Sequence, residues 1–340
     1  MVSERSLEVL RVIVHDYVAS REPVGSKSIV ERHAFGVSAA TIRNDMAALE
    51  EEELITAPHT SSGRVPTDKG YRLFVDQLAD LKPLSGAQRQ AIEVFLGQSV
   101  DVDDVLARTV RLLSQLTHQV ALVQYPSVSN ARVRHVEFVP IGIRRLLCVL
   151  IADTGAVEQR SAETPDDVDE TFVAELRARI NATTVGLKLA DAAEKLRDIP
   201  EQVAERERAS AAAIVAALID QIESTRQEKL VMAGTANLVR TEHDFTGSIF
   251  PVLEAIEEQV ELLKLFGEMA TEQHGVSVSI GRENASFGLE ETSVLASGYA
   301  GAGRSVAHVG VLGPLRMDYS NNMTAVRAVA RYLSRQLGED

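Results

Sequence analysis

Residues 38–52 of this 340-residue chain read SAATIRNDMAALEEE, and this stretch decides the fold of the first part of the sequence. Ile42, Met46 and Leu49 fall at about 0°, 40° and 340° around a helix, so they share one apolar face. The pattern predicts a helix over residues 39–52. The other positions carry capping, small or polar side chains: Ser38 as the N-cap, Ala40, Asn44 and Ala47 opposite the apolar face, and Thr41 and Arg43 on its flanks.

Two more helices are predicted before this one. Apolar residues at helical spacing between Leu7 and Tyr17 predict a first helix of about four turns, and Pro23 and Gly25 end it. A short second helix follows and ends near His33.

The residues after the third helix predict a hairpin and a closing helix. Residues 54–56 form a short strand, residues 59–63 supply the turn, and Val65 belongs to the return strand. Gly63 is expected to adopt a positive φ so that the tip can reverse. A last helix opens at residues 66–68. The order helix, helix, turn, helix, hairpin is typical of a winged helix-turn-helix.

The polar face of the third helix has the chemistry of a DNA-reading surface. Asn44 can bind adenine or a phosphate, and Arg43 can reach guanine or the backbone, while small neighbours allow a close approach to a groove. Lys27 would hold a phosphate, and the hairpin would add a second contact. The alternative is a plain three-helix domain whose polar face is merely solvated. The candidate DNA-binding residues are Lys27, Ser38, Thr41, Arg43, Asn44, His59, Ser61, Ser62 and Arg64.

The overall charge weakens the DNA-binding hypothesis without excluding it. The chain has 35 Lys and Arg against 49 Asp and Glu, a net charge of −14. Between Arg21 and Asn44, however, bases outnumber acids, and phosphate affinity depends on where charge is placed. The absence of Trp and the low aromatic content argue against a surface that stacks bases.

Composition and length predict a cytoplasmic protein of two or three domains. The chain is 45% hydrophobic and 25% charged, as in ordinary globular proteins. Its apolar runs are too short to span a bilayer, and its first residues lack the pattern of a signal peptide.

Strands before and after a long middle segment predict a mixed α+β domain that is interrupted by an insertion. The strands are predicted at 120–124, 134–140, 145–151, 157–161, 276–280, 292–299 and 306–312, and helices at 102–119, 253–266 and 321–337. The predicted domains are residues 1–82, residues 83–164 with 251–340, and the insertion at residues 165–250.

The middle segment contains a long predicted helix, residues 201–229, with an apolar stripe that includes Ile214, Leu218 and Ile222. A stripe of that length needs a partner. Pattern alone allows two partners, the helix's own domain or a second copy of the chain.

No catalytic, metal or cofactor site is predicted. Cys148, the only cysteine, lies within the apolar strand at 145–151, where a structural role is favoured over a nucleophilic one. Residues 301–304 hint at a phosphate loop, but a strand follows them, so a hairpin turn is favoured. The histidines lack metal-ligand spacing, and we expect neither metal nor cofactor.

Six stretches resemble the heat-inducible transcription repressor family. They are EPVGSK (22–27), ATIRNDM (40–46), PHTSSGRVPTDKGYR (58–72), RVRHVEF (132–138), DTG (153–155) and GPLRMDY (313–319), so the resemblance covers nearly the whole chain. One departure is that Glu52 and Glu53 stand where the family often has a Leu-Gly pair. The glycine that commonly ends a helix is therefore missing.

The resemblance implies an α+β protein with an N-terminal winged helix-turn-helix, a GAF-like domain and an inserted, helix-rich dimerisation domain. It favours a dimer seam on the long helix, through Ile214, Leu218 and Ile222. It also implies a homodimeric repressor of chaperone operons that binds an inverted-repeat operator (CIRCE type), is relieved on heat stress and is kept competent by a chaperonin.

Two other functions remain as alternatives. A GAF-like domain often encloses a small ligand, so the chain could be a metabolite-responsive regulator. An enzyme built around Cys148 would need that thiol for an activity, and nothing else in the sequence indicates one.

Overall fold

The computed structural model describes residues 2–59, 62–77, 85–97, 99, 101–126, 131–226, 229–245, 247–269, 275–300 and 306–338. The chain forms two compact units. Residues 1–124, 230–299 and 308–332 make up the first, and residues 125–229, 300–307 and 333–340 make up the second. None of the helices in these described ranges combines the length and the apolarity that crossing a bilayer requires.

The elements are named in chain order. The helices are α1 (Glu4–Ser20), α2 (Ser26–Arg32), α3 (Ala39–Glu51), α4 (Asp68–Asp76), α5 (Gly86–Leu96), α6 (Val102–Thr117), α7 (Glu170–Thr184), α8 (Leu189–Leu196), α9 (Arg208–Arg226), α10 (Thr235–Arg240), α11 (Phe250–Glu258), α12 (Val260–Glu268) and α13 (Tyr319–Leu337). The strands are β1 (Ile55–Thr56), β2 (Val65–Pro66), β3 (Val120–Gln124), β4 (Val133–Gly142), β5 (Arg145–Ala152), β6 (Val157–Glu163), β7 (Leu230–Ala233), β8 (Ser277–Ile280), β9 (Thr292–Ala300) and β10 (Val306–Pro314).

Helices α1 to α4 and the hairpin β1–β2 form a small domain, which we call the head (residues 2–77). Three of its helices begin at a hydroxyl cap, because Ser3, Ser38 and Thr67 each accept a hydrogen bond from the N–H three residues further on. The order of elements is the predicted one, although Leu78 of the predicted closing helix lies outside the described residues. The core of the head includes Val9, Leu10, Ile13, Val14, Ile29, Ile42, Leu49, Ile55 and Val75.

The rest of the first unit, which we call the sheet core, is built on a five-stranded sheet in the order β7-β3-β10-β9-β8. Strand β3 pairs antiparallel with both β7 and β10, and β8 pairs antiparallel with β9. Helices α6 and α10 pack on β3. The apolar side chains of α11 and α12 join the same core, where Val252, Ile256, Leu262, Leu265 and Phe266 are buried.

The helix predicted over residues 253–266 is two helices. Gln259 adopts a φ of 61° between α11 and α12, and its N–H bonds to Ala255 O at 2.9 Å. A left-handed residue ends one helix and turns the chain before the next. The apolar spacing continues across this break, so the sequence pattern does not show it.

The second unit is built on the antiparallel sheet β4-β5-β6 with α7, α8 and α9, and its boundaries correct the prediction. Strands β4 to β6 share one core with these helices, so the predicted start of the insertion at residue 165 is wrong. The predicted end at residue 250 is also wrong, because β7 pairs with β3 in the first unit. The physical reason is that the apolar side chains of α9 pack on the buried face of β5 and β6, and these two strands lie outside the predicted segment.

The predicted dimer seam on the long helix is wrong as well. Helix α9 begins at Arg208, because residues 199–207 form two short 3₁₀ helices around extended backbone. Ile214, Leu218 and Ile222 are 0%, 0% and 1% exposed inside the core of their own unit. The helix therefore packs on its own domain, and these side chains have no surface left for a second copy.

Cys148 lies on β5 with its side chain fully buried, and burial raises the pKa of its thiol to about 12. A protonated thiol is a poor nucleophile, so we expect negligible reaction with a thiol reagent in the folded chain near pH 8 and full reaction in denaturant. Absorbance of the released thiolate measures both rates. Rapid labelling of the folded chain would contradict the burial of Cys148.

Candidate nucleic-acid interface

Helix α3 separates a buried face from an exposed face, as its sequence pattern predicts. Ile42, Met46 and Leu49 are buried, and the helix packs on α1 and α2. Arg43 and Asn44 are exposed and have no hydrogen-bond or ion-pair partner among the described residues. Small exposed residues flank them, namely Ala40 and Ala47.

The first turn of α3 uses two of the predicted DNA-binding residues for its own stability. Ser38 Oγ accepts a hydrogen bond from Thr41 N at 3.2 Å, and the two side-chain hydroxyls lie 3.0 Å apart. Ser38 is exposed and Thr41 is half-buried. Both side chains therefore stand at the positive N-terminal end of the helix, where an anion is stabilised.

Asp45 is absent from the predicted site, yet it holds α3 in place. Its buried carboxylate accepts hydrogen bonds from Arg5 Nε at 2.8 Å, from Arg5 Nη2 at 3.2 Å and from Ser6 Oγ at 3.0 Å. The hydrogen bond to Asp45 raises the pKa of the Arg5 guanidinium. The helical period places Asp45 beside Leu49 on the buried face. A carboxylate on a buried face needs a hydrogen-bonding partner, so this position in the sequence could have indicated the role of Asp45.

Lys27 lies in the first turn of α2 with its side chain 86% exposed. Its Nζ is 3.8 Å from Glu31 Oε1, one turn further along the helix. An exposed pair of this kind contributes little free energy, so the ammonium can leave it for a phosphate.

Ser62 bonds to His59 near the tip of the hairpin. Ser62 Oγ donates to His59 O at 2.7 Å and accepts from His59 N at 3.0 Å. The Ser62 hydroxyl is thus used inside the turn, whereas the His59 side chain is exposed. Ser61, also a predicted contact, lies outside the described residues.

Arg64 lies between the tip of the hairpin and β2, where Glu50 of α3 holds its guanidinium. Arg64 Nε and Nη2 are each 2.9 Å from Glu50 Oε2, and Nη1 donates to Ser62 O at 3.2 Å. Its backbone exchanges two hydrogen bonds with Val24, at 2.8 and 2.9 Å. Arg64 therefore joins the hairpin to α3 and to the start of α2, and it reaches DNA only by leaving Glu50.

Gly63 does not adopt the positive φ that the sequence predicts. It is needed for a close approach instead, since a Cβ at this position would lie 2.5 Å from the carbonyl C and O of Pro23. The hairpin can pair with residues 23–24 only because position 63 has no side chain.

Comparison with known proteins decides the family. Residues 103–323 match the family model described as HrcA protein C terminal domain. The chain is 68% identical over 339 residues to the heat-inducible transcription repressor HrcA of Leifsonia xyli subsp. xyli (strain CTCB07), and the match covers 100% of both chains. It is 69% identical over 339 residues to the protein of the same name from Clavibacter michiganensis subsp. michiganensis (strain NCPPB 382), again over 100% of both. The chain belongs to the heat-inducible transcription repressor (HrcA) family.

Membership in the HrcA family defines the activity. The chain is a transcription repressor of heat-shock genes and not an enzyme, and DNA is its partner. A solved structure described as a hypothetical protein shares the fold, with a TM-score of 0.68 at 24% identity over 98% of each chain.

The end of α3 lacks the glycine that many members of the family have there, and a glutamate adopts the left-handed conformation instead. The helix ends at Glu51, and Glu53 adopts a φ of 59°, in the left-handed region that glycine favours. Glu53 O accepts a hydrogen bond from Thr67 Oγ1 at 2.6 Å, and Glu53 N donates to Glu50 O at 3.0 Å. These bonds fix the turn that leads into the hairpin, at the cost of a strained residue.

Gly63→Ala tests the close approach. The added Cβ would overlap the backbone of Pro23, so we expect a loss of about 1–3 kcal/mol in the free energy of unfolding, as for other overpacked sites. Gly25→Ala is the matched control, because a Cβ there has only Ser28 Oγ nearby, at 3.9 Å. Urea unfolding compares the two variants, and equal stabilities would show that the hairpin does not depend on Gly63.

Proposed function

We propose that this repressor binds an inverted-repeat operator as a homodimer, with the head as a winged helix-turn-helix and the sheet core as a GAF-like domain. Heat stress relieves the repression, and a chaperonin is the modulator that the family resemblance implies. The observation that carries the proposal is the exposed face of α3, where Arg43 and Asn44 stand between small residues and have no partner in the described part of the chain. Such a face fits the major groove.

The other predicted contacts would bind the DNA backbone around this helix. Ser38 and Thr41 lie where a phosphate can approach the N-terminus of α3. Lys27 would bind a phosphate from α2, and His59 would do so from the hairpin tip. Arg64 would exchange the Glu50 carboxylate for a phosphate, since a guanidinium binds both anions in similar geometry.

Arg43→Ala tests base recognition. We expect a loss of about 1–3 kcal/mol on the operator and a relaxed preference at one base pair in each half-site, because a base contact is removed. Lys27→Ala is the control, since loss of a phosphate contact weakens all sequences alike and lowers the salt slope by about one. Equilibrium binding to the operator, to point-substituted operators and to random DNA measures both. An equal loss on operator and random DNA for Arg43→Ala would remove Arg43 from the base-reading residues.

The open face of the sheet β4-β5-β6 is the proposed dimer surface. Alternate residues of these strands face the core of the second unit, and their neighbours on the other side include an apolar row on β5, with polar side chains of β4 and β6 (His135, Glu137, Gln159 and Ser161) in register beside it. Val139 and Val157 are 43% and 53% exposed there. Soluble chains seldom leave a contiguous apolar face in water. The half-buried side chains of the same face are Leu147, Val149 and Ile151.

A second copy of the chain is the occupant that fits this face. A two-fold axis lets the same apolar surface pack against itself, as an inverted-repeat operator requires. Addition of a strand at the outer edge of β4 is obstructed, because Asn181 exchanges hydrogen bonds of 2.8 and 2.9 Å with the backbone of Val136. Residues 186–189 also bond to the backbone of residues 131–133 on that edge. The open face, rather than the β4 edge, is therefore the surface that we propose for association.

Val139→Glu tests the dimer surface. A charge on the open face should yield monomers, and loss of the second head should weaken operator binding by about 10²- to 10⁴-fold while a single half-site binds as before. The control is Val185→Glu, which places the same charge at a position that is 51% exposed and outside the sheet. Sedimentation equilibrium and operator titration measure the two effects. A Val139→Glu protein that stays dimeric would refute the assignment of this face.

A further inference from the structure

Residues 66–72 and 313–319, two stretches of family-like sequence from opposite ends of the chain, meet inside the first unit. The rings of Tyr71 on α4 and Tyr319 at the start of α13 pack with centroids 5.5 Å apart and planes inclined at 43°. They are 2% and 1% exposed, and the Tyr319 hydroxyl is 2.7 Å from Ser293 Oγ in the sheet core. The head is thus joined to the sheet core through a buried aromatic pair.

An ion pair lies beside the two rings. Arg72 donates from Nε to Glu283 Oε1 at 2.8 Å and from Nη2 to Glu283 Oε2 at 2.5 Å. Arg72 Nη2 also donates to Val278 O at 2.5 Å, and Asp68 accepts a hydrogen bond from Arg282 N at 3.1 Å. A bidentate guanidinium–carboxylate pair fixes orientation as well as distance.

A second ion pair ties the end of α1 to the sheet core. Arg316 binds Asp244 with two hydrogen bonds, of 2.7 and 2.9 Å, and Nη1 of the same guanidinium donates to Val18 O of α1. Arg21 Nη2 lies 3.3 Å from Asp244 Oδ2. The Asp244 and Arg316 side chains are only 4% and 11% exposed, so solvent screens this pair weakly.

One buried group opposes the contact. The Tyr71 hydroxyl has no hydrogen-bond partner in the described residues, and its burial raises the pKa of the phenol. Burying an unpaired hydroxyl costs free energy that separation of the head would recover. The flanking ion pairs must offset that cost, so weakening one of them should release the head.

The contact leaves the proposed DNA-reading face free. It uses α4 and the end of α1, whereas Arg43 and Asn44 on α3 stay exposed. The head is therefore held in one orientation on the sheet core, and these two side chains stay exposed.

We propose that this contact selects the spacing of the operator half-sites, by fixing the direction in which α3 points. This inference rests on the proposed binding of an inverted repeat by a dimer. Recognition helices of a dimer must meet half-sites about 34–36 Å apart or a multiple of this, and a fixed head satisfies one spacing. A head that swivels satisfies several spacings, each at a lower effective concentration. The residues of this head lock are Tyr71, Arg72, Asp244, Glu283, Arg316 and Tyr319.

The experiment measures affinity of the full chain for three kinds of DNA: the operator, operators with one or two base pairs inserted between the half-sites, and a single half-site. Glu283→Gln removes the charge that holds Arg72 but keeps the size of the side chain. Glu290→Gln is the matched control, because Glu290 is exposed and has no partner among the described residues. Arg72→Glu, Glu283→Arg and the double variant add a charge-reversal cycle.

The head lock predicts a specific pattern. Glu283→Gln and Arg72→Glu should lower the affinity for the operator of natural spacing about tenfold, because the head is no longer preorganised. The affinity for operators of altered spacing should fall little, so the preference for the natural spacing becomes smaller. Single half-site affinity should stay unchanged, which shows that the head is still folded. The double variant should recover part of the preference for the natural spacing, and Glu290→Gln should show the same preference as the unchanged chain.

The experiment distinguishes failure of the proposed dimeric binding from failure of the head lock. If the unchanged chain shows no preference for spacing, the proposed dimeric binding of an inverted repeat is wrong. If the unchanged chain prefers one spacing and both Glu283→Gln and Arg72→Glu keep that preference in full, the head lock is wrong and the proposed function stands.

Discussion

The position of the side chains that we propose face DNA depends on one buried carboxylate, that of Asp45. Hydrogen bonds from Arg5 and Ser6 to this group fasten α3 to the first turns of α1. The other end of α1 is bound to the sheet core through Arg316. Charged groups at the two ends of α1 thus link the sheet core to α3, the helix that we propose enters the groove. Removing one partner would leave a charge buried without compensation, which is the costly way to break such a contact.

A net charge of −14 is compatible with the proposed binding of DNA by the head, because the acidic residues of the chain are not evenly distributed. Asp45 points into the head and is neutralised there, and Glu50 is paired with Arg64. Arg43 on α3 and Lys27 on α2 remain exposed. Local placement of charge, rather than its sum, decides the attraction to phosphate.

The sequence predicts the head well and the second unit poorly, and the difference has a physical cause. Helical spacing identifies Ile42, Met46 and Leu49 as buried, and the order of elements predicted for the head also names the partners of α3, which are α1 and α2. The same kind of pattern on α9 shows that Leu218 is buried but not what buries it, and the strands that do so lie some sixty residues earlier in the chain. The sequence predicts that Gly63 is needed for a positive φ. The structure shows that it is needed for a close approach to Pro23, a residue distant in sequence. Contacts between distant segments, including Tyr71 with Tyr319, leave no periodic signal.

A hydroxyl-radical footprint of the full chain on the inverted repeat of a heat-shock promoter tests the central claim most directly. Binding of the repeat by two heads predicts two protected segments, one in each half-site, related by the symmetry of the repeat and lying on one side of the duplex. Arg43→Ala should weaken both segments together. A single protected segment, or two segments that Arg43→Ala leaves at full strength, would contradict that claim.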